Sequence, residues 1–352
     1  YFLLLTSYFL LLTSYFLLPT FYSQIIMRFH GYYILSTQPL IVSYLGSYPF
    51  FGGVIYQDKK IKFKPLPNWF RPKHVIEHSP YWCASPKQML LRKTKSIIHS
   101  LEGRTHHFMV NAKDEEQMRK LFQIRGAHFN QNFYINEHLY NIIEQPKVYD
   151  AIYTAQLNSS KRLPLAKNVE KLMVVSYGGD LHAYCPELKH ADYNKDFISR
   201  PELAKKYNQA HAGLILSAIE GANLASTEYL LCGIPVVSTA SKGGRDEFFT
   251  TENSTIVPPE AEAVYQAVQT WKKLSPEPAK IRNQTLKKIN ELRLEYCAYI
   301  ARLIDKENGK KYEPKVLMEK YFSSPDGIQS RYLKLEELDK ISPQDFNTKF
   351  SI

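Results

Sequence analysis

Cysteine is scarce in this sequence, with Cys83, Cys185, Cys232 and Cys297 in 352 residues and no C-x-x-C pair among them. Such wide spacing excludes a zinc ribbon and a dense disulfide framework, and it indicates a reducing compartment such as the cytoplasm. The sequence also lacks a P-loop and a basic patch interleaved with aromatic residues, so nucleic acid is not an expected partner.

Acidic residues are in deficit as well. The chain has 34 Asp and Glu against 45 Lys and Arg, which gives a net charge of +11. This balance favours anionic partners: a nucleotide, a phosphate, an acidic lipid surface or nucleic acid would each satisfy it, and net charge alone does not choose among them. Hydrophobic residues make up 44% and charged residues 22%, values that exclude wholesale disorder and a polytopic membrane protein. The length predicts about two domains.

The first charged residue is Arg28, and the run before it is repetitive. Two copies of YFLLLTS fill residues 1–14, and a third, partial copy follows. The run is long enough for a membrane helix, but it has no Lys or Arg flank and contains Pro19. We predict that residues 1–26 are translated repetitive sequence ahead of a start at Met27 and take no part in the fold. A membrane anchor and an ordinary buried segment are the alternatives.

Apolar runs and turn residues divide the rest of the chain into three parts. Residues 27–147 are predicted to form a first α/β domain, with strands at 32–35, 41–45, 54–56 and 107–111 and helices at 86–101 and 114–122. Residues 148–275 are predicted to form a second, with strands at 149–155, 173–177, 212–217 and 235–239 and helices at 163–172, 201–210, 224–232 and 261–274. Residues 276–352 are charged and helical, notably 279–305. Short buried strands alternating with helices indicate a doubly wound parallel sheet, whose ligands bind at the carboxyl ends of the strands.

The stretch 212–257 contains two acidic residues that fit a ligand site. Glu220 follows a buried strand, and Glu228 lies eight residues later in a helix that begins near Leu224. A continuous helix would place the two carboxylates about 80° apart, so Glu220 is expected on the loop before the helix. Both carboxylates can then line one rim of the strand ends, with the free N–H groups of the first helical turn as an anion site between them. A diphosphate suits that anion site, and carboxylates suit sugar or ribose hydroxyls.

This stretch resembles the donor half of retaining GT-B type glycosyltransferases of family 4, the glycosyl transferases group 1, whose signature is Glu-x7-Glu. The resemblance implies an α/β fold of two Rossmann-like doubly wound domains and transfer of a sugar from a UDP- or GDP-linked donor, without a metal or another cofactor. It implies that Glu220 is catalytic, at the donor sugar, and that Glu228 holds the ribose hydroxyls. Gly221, Asn223 and Leu224 would approach the sugar and the phosphates.

The resemblance also extends upstream of the acidic pair. Lys161 matches the lysine that pairs with the donor diphosphate, and the resemblance makes it a second catalytic candidate. Gln156 stands where the family usually has an arginine, so one of two phosphate charges is missing or is supplied by Arg162.

Downstream, the segment after PVVST resembles the Gly-Gly loop of the family. Lys242, Gly243 and Gly244 would bind the donor. Lys242 and Arg245 would contact the donor phosphates or the acceptor, with solvated loop charges as the alternative.

The N-terminal half resembles the acceptor-side domain of the family only loosely. Its 121 residues, 27–147, are few for a complete domain, so we expect a short or truncated one. Asn130 and Asn132 would face the cleft between the domains as acceptor-side candidates.

A competing pattern lies in the same half. Residues 74–78 read HVIEH and match H-x-x-E-H, which ligates zinc when the two histidines lie one helical turn apart. Prolines bracket the motif and β-branched residues fill it, so a strand is the stronger prediction and no metal site is expected. One of four histidines is then a candidate contact for the acceptor, with packing as the alternative: His74, His78, His106 or His107.

These observations predict a cytoplasmic glycosyltransferase of cell-envelope polysaccharide synthesis, peripheral at the inner face of the membrane. It would move a sugar from a nucleotide-diphosphate donor to a glycan or lipid-linked acceptor and retain the anomeric configuration. A nucleotide-sugar epimerase on the same fold and a non-catalytic sugar- or nucleotide-binding remnant are the alternatives.

Overall fold

The computed structural model describes residues 31–45, 53–57, 60–64, 66–79 and 81–352. The prediction for residues 1–26 therefore lies outside the described residues. Within the described ranges, no helix has the length and apolarity needed to cross a membrane.

Strands and helices alternate through most of the chain. The strands are β1 Gly31–Thr37, β2 Leu40–Leu45, β3 Gly53–Gln57, β4 Lys60–Lys64, β5 His74–His78, β6 Thr105–Met109, β7 Tyr149–Thr154, β8 Leu172–Val175, β9 Asp192–Tyr193, β10 Ala210–Ile215, β11 Val236–Thr239, β12 Ser254–Val257 and β13 Tyr332–Lys334. The helices are α1 Pro86–Leu101, α2 Lys113–Leu121, α3 Leu181–Tyr184, α4 Arg200–Asn208, α5 Leu224–Leu231, α6 Ala261–Leu274, α7 Pro278–Asn308, α8 Pro314–Phe322 and α9 Pro343–Phe350.

The C-terminal half contains a six-stranded sheet in the order β12-β11-β10-β7-β8-β9, and all neighbouring strands are parallel. Apolar side chains such as Ala151, Ile152 and Leu214 are fully buried in it, as expected for strands covered on both faces. The chain leaves the centre in opposite directions from β7 and from β10, so the switch point of the sheet lies between these two strands. The doubly wound prediction is confirmed for this half.

The N-terminal half is built differently. Its five-stranded sheet has the order β13-β1-β2-β5-β6, and only β2, β5 and β6 run parallel. Strand β1 is antiparallel to both of its neighbours, and β3 and β4 form a separate hairpin. This half is therefore α/β with a mixed sheet. The HVIEH segment is strand β5, as predicted.

The last part of the chain joins the two halves. Helix α7 has 31 residues, and its Arg293 donates to both carboxylate oxygens of Glu137 at 2.6 Å. The chain then returns to the N-terminal sheet, where Tyr332 pairs with Tyr33. The predicted helix 279–305 lies within α7.

One predicted helix is wrong. Residues 163–172 form only a 3₁₀ turn, Leu163–Ala166, and Leu172 already begins β8. The buried apolar residues of this stretch are Leu163, Ala166 and Val169, three positions apart, which is the period of a 3₁₀ helix and not of an α-helix.

Candidate functional site

The predicted catalytic pair lies at the switch point of the C-terminal sheet. Lys161 follows β7 and Glu220 follows β10, and these strands are neighbours in the sheet. The carboxyl ends of parallel neighbours share one edge, so the two segments meet there. The Nζ of Lys161 is 2.7 Å from Oε1 and 2.6 Å from Oε2 of Glu220, although 59 residues separate them.

Glu220 has a second local partner. The hydroxyl of Ser217 donates to its Oε2 at 2.6 Å. Both members of the ion pair are part-buried, with side chains 16% (Lys161) and 19% (Glu220) exposed, so they remain accessible at the rim. The arrangement offers an ammonium group and a carboxylate side by side, one suited to phosphate oxygens and the other to hydroxyl groups.

Arg162 ties together the ends of two strands. It adopts a left-handed conformation with φ 51°, its Nε donates to the carbonyl of Leu216 at 2.6 Å, and its Nη2 donates to Oγ1 of Thr239 at 2.7 Å. Partial burial lowers its pKa from the usual value. Its role in donor binding stays a prediction.

Helix α5 begins at Leu224, within the predicted range. The side chain of Asn223 caps it by accepting from the backbone N–H of Ser226 at 3.0 Å. Gly221 is buried before the cap, and Leu224 is exposed at the first turn.

Glu228 lies in a cluster of tyrosines that the sequence analysis did not find. Its Oε2 accepts from the hydroxyl of Tyr207 at 2.8 Å, and that hydroxyl is also 3.2 Å from Oγ1 of Thr154, at the end of β7. Burial, and then the negative charge of Glu228, raise the pKa of Tyr207 far above its usual value. The two acids thus have different partners, and the ribose role of Glu228 stays a prediction.

The glycine loop, residues 241–247, packs closely against the backbone of Glu220. Gly243 has φ 109°, and a Cβ atom there would lie 1.7 Å from the carbonyl oxygen of Glu220. A Cβ on Gly244 would lie 2.0 Å from the carbonyl oxygen of Asn111, in the N-terminal half. Both positions therefore require glycine because the backbone approaches so closely. Lys242 is exposed, with its Nζ 5.9 Å from the ring centroid of Trp82.

The prediction for Arg245 is wrong. This residue is neither a phosphate contact nor a solvated loop charge, because it is fully buried. Its guanidinium donates to the carbonyl of Ser217 at 2.7 Å and to the carbonyl of Thr239, and it pairs with Asp246. It therefore fixes the glycine loop to the ends of β10 and β11.

The acceptor-side asparagines are fully buried and reach into the C-terminal half. Asn130 Nδ2 donates to the carbonyl of Gly244 at 2.6 Å. Asn132 Nδ2 donates to the carbonyl of Asn223 at 2.9 Å and to Oγ1 of Thr227 at 2.7 Å. Contact with an acceptor stays a prediction for both.

His78 lies among aromatic rings on the inner face of β5. Its Nε2 is 3.4 Å from the hydroxyls of Tyr134 and Tyr296, and burial lowers its pKa to about 3. His74 faces His107, with Nδ1 to Nε2 at 2.9 Å. In the part of the chain that the structure describes, no three His, Cys, Asp or Glu residues are grouped to hold a metal ion.

Two cavities lie away from these residues. One of about 410 Å³ is lined by Asn194, Phe197 and Glu202, among others, and one of about 590 Å³ by Pro39, Lys73 and others. Neither is lined by a residue of the predicted site.

Residues 188–288 match the family profile described as "Glycosyl transferases group 1". This span holds Glu220, Glu228 and the glycine loop, and it begins after Lys161 and Arg162. No curated protein matches the sequence as a relative.

Solved structures with similar folds include TarM, with a TM-score of 0.50 and 12% identity over 65% of this chain and 50% of the TarM chain. HepE from Anabaena, in complex with UDP, has a TM-score of 0.50 and 13% identity over 65% of this chain and 72% of its own. The likeness shows the fold, a two-part GT-B type α/β architecture, as predicted; the chain matches only half the length of TarM.

Proposed function

We propose that this chain is a retaining glycosyltransferase that moves a sugar from a UDP- or GDP-linked donor to a glycan or lipid-linked acceptor. The observation that carries the proposal is the contact of Lys161 with Glu220 at the switch point, the edge of a doubly wound sheet at which ligands bind. HepE, which has a similar fold, is described in complex with UDP.

Lys161 and Glu220 have different roles in a single displacement reaction. The acceptor hydroxyl forms a bond to the anomeric carbon while the bond from that carbon to the phosphate oxygen breaks, and the electron pair leaves with the nucleoside diphosphate. The hydroxyl proton passes to the departing phosphate oxygen on the same face, which retains the configuration. Lys161 and the N-terminal end of α5 stabilise the developing phosphate charge. Glu220 accepts hydrogen bonds from the sugar hydroxyls and stabilises positive charge at the anomeric carbon.

The rest of the proposal concerns what surrounds this reaction. Cationic and dipolar groups of the chain serve the diphosphate, so neither a metal nor another cofactor is required by the mechanism. The surplus of basic residues suits an anionic membrane face on which lipid-linked acceptors of cell-envelope polysaccharides reside. We therefore expect the protein in the cytoplasm, peripheral to the inner face of the membrane.

Nucleotide binding tests the donor site. Calorimetry with UDP and GDP should show binding of one of them to the folded protein. Lys161→Met should weaken it by at least about tenfold, because the diphosphate loses a charge-assisted partner. Lys280→Met is the matched control, since Lys280 pairs with Glu252 at 3.0 Å on the exposed surface of the chain. Absence of binding to both nucleotides would contradict the donor site.

Transfer assays test the carboxylate. Glu220→Gln should lower kcat by at least about 100-fold and leave nucleotide affinity unchanged. The substitution removes a negative charge that stabilises the anomeric carbon only while its bond to the phosphate oxygen breaks. Glu252→Gln is the control. Loss of affinity alone in the Glu220 variant would overturn its assigned role. Conversion of the donor without acceptor would indicate an epimerase, and an unchanged donor with bound nucleotide would indicate a non-catalytic remnant.

A further inference from the structure

One 3₁₀ turn of the N-terminal half contacts two segments of the C-terminal half near Glu220, namely the start of α5 and the glycine loop. The turn is Gln131–Tyr134, and Asn130 is its cap, with Oδ1 accepting from the backbone N–H of Asn132 at 3.1 Å. The two carboxamides point onward to different segments of the other half. Asn132 reaches the start of α5, and Asn130 reaches Gly244 in the glycine loop.

Backbone hydrogen bonds link Glu220 to the glycine loop that Asn130 contacts. Lys242 N–H donates to the carbonyl of Ala218 at 3.0 Å, and Glu220 N–H donates to the carbonyl of Lys242 at 3.0 Å. Gly243 lies against the carbonyl oxygen of Glu220 so closely that no side chain fits between them. A shift of the loop at Gly244 must therefore move the backbone that carries the carboxylate.

The opposite side of Gly244 is closed by the N-terminal half. The carbonyl oxygen of Asn111 lies 2.0 Å from the position that a Cβ of Gly244 would take, and the side chain of Asn111 accepts from Gln131 N–H at 2.9 Å. The loop tip is thus held between Asn111 and Asn130, two fully buried residues that are joined through the same turn.

We propose that Asn130 is a positioning residue, which holds Glu220 in place through the glycine loop and so makes the carboxylate depend on how the N-terminal half is seated. This inference rests on the proposed function for its effect on transfer, but the geometric link can be measured without any substrate. Asn130 itself touches only Gly244 and its own turn in the contacts described, so we assign it no contact with the donor.

Asn130→Asp isolates the hydrogen bond. The substitution keeps the shape and the oxygen that caps the turn, but it replaces the N–H donor by a second acceptor facing the carbonyl of Gly244. Hydrogen exchange at neutral pH should become at least about tenfold faster at the amides of Glu220 and Lys242, because their hydrogen bonds, to the carbonyls of Lys242 and Ala218 respectively, depend on the position of the loop. The kcat for transfer should fall at least about tenfold while the Kd for nucleotide changes less than about twofold.

A change of pH distinguishes positioning from general damage. When the introduced carboxyl is protonated it can donate to Gly244 again, so exchange and kcat of Asn130→Asp should recover as the pH falls to about 5. Two further ionisable side chains, His128 and Glu247, lie 4.0 Å apart beside the loop. Dividing the exchange rates and kcat of Asn130→Asp by those of the control variant Asn136→Asp at the same pH removes the contribution of these two groups.

Asn136→Asp is the matched control, because Asn136 Nδ2 also donates to a distant backbone carbonyl, that of Pro325, at 2.8 Å, away from the loop. If Asn130→Asp does not fold at neutral pH, Asn130→Ser keeps a cap for the turn and loses only the reach to Gly244, and it should show the same exchange pattern. Unchanged exchange at Glu220 and Lys242 in a folded variant overturns the proposal. If exchange changes but the wild-type protein neither binds nucleotide nor transfers sugar, the geometric link stands and the proposed function fails.

Discussion

Helices α1 and α5 cover the sheets of the two halves in opposite ways. Helix α5 buries Tyr229, Leu230 and Leu231, as expected of a helix that packs on an apolar sheet. Helix α1 turns Lys95 and His99 toward its sheet and leaves Leu90, Ile97 and Leu101 exposed at 60%, 50% and 69%.

The reason lies in strand β5. Glu77 is fully buried beneath α1, where its Oε2 accepts from Lys95 Nζ at 2.6 Å and from His106 Nε2 at 3.0 Å. Burial alone would raise the pKa of Glu77, but the charges of Arg92 and Lys95 and the hydrogen bond from His106 outweigh it and hold the pKa below its usual value. The contact of α5 with its sheet therefore depends mainly on apolar packing, and the contact of α1 with its sheet depends also on a buried charge network.

The largest effect is expected at the centre of the charge network. Glu77→Gln should lower the free energy of unfolding by about 3–5 kcal/mol, because it leaves buried cations without their counter-charge. Urea unfolding at neutral pH measures the loss. Glu102→Gln, which removes an exposed partner of Arg104 at 3.5 Å, should cost less than about 1 kcal/mol. Similar losses in both variants would contradict the network.

A comparable loss of different origin is expected in the C-terminal half. Leu230→Ala should lower the free energy of unfolding by about 2–5 kcal/mol, because it leaves a cavity under α5. This loss should be the same at pH 5 and pH 7, since no charge is removed. A strong pH dependence of this loss would show that the contact of α5 with its sheet, like that of α1, depends on charged groups.

Acid should weaken the N-terminal half before the C-terminal half. Burial is the largest cause of a lowered pKa at five histidines of the N-terminal half: His74, His78, His99, His106 and His107. Below a pH of about 6.5 the unfolded chain binds protons that the folded half excludes, so stability is complete above that pH and falls beneath it, by up to about 1.4 kcal/mol per pH unit for each group.

Hydrogen exchange, corrected for intrinsic rates, can follow the two sheets separately between pH 7 and pH 5. Amides of β5 and β6 should lose protection over this range, and amides of β10 and β11 should lose less, because there burial lowers the pKa of one histidine, His211, and not of five. Equal loss in both sheets would contradict the prediction.

The smallest effect is expected on the outer face of α1. Leu90→Gln should change the free energy of unfolding by less than about 0.5 kcal/mol, because the side chain is largely exposed and glutamine also favours helix. Met89→Gln, one position away and fully buried, should cost at least about 2 kcal/mol. Thermal unfolding of the two variants measures the contrast. A large loss of stability in Leu90→Gln would contradict the assignment of Leu90 to the exposed face of α1.

The sequence predicted the parts of the site that local pattern determines. Glu220 follows a buried strand of recognisable length, and Lys161 was identified by the resemblance of its segment to the family. The parallel alternation of strands and helices places both at one edge of the sheet. Tyr207 as a partner of Glu228, and Asn130 as a partner of Gly244, depend on how distant segments pack, and no local pattern carries that information. The outward apolar face of α1 was missed for a related reason. Periodicity identifies an amphipathic helix, but the buried charge on β5 decides which face turns inward.

The pairing of β13 with β1 has a consequence for biosynthesis. Residues 332–334 supply an edge of the first sheet, so that sheet cannot close until these residues have left the ribosome. A polypeptide ending between the halves would expose the unpaired edge of β1 and lose the Arg331 side chain, which donates to Ile34 O at 2.8 Å. The N-terminal sheet, although it is synthesised first, is therefore completed after the C-terminal sheet.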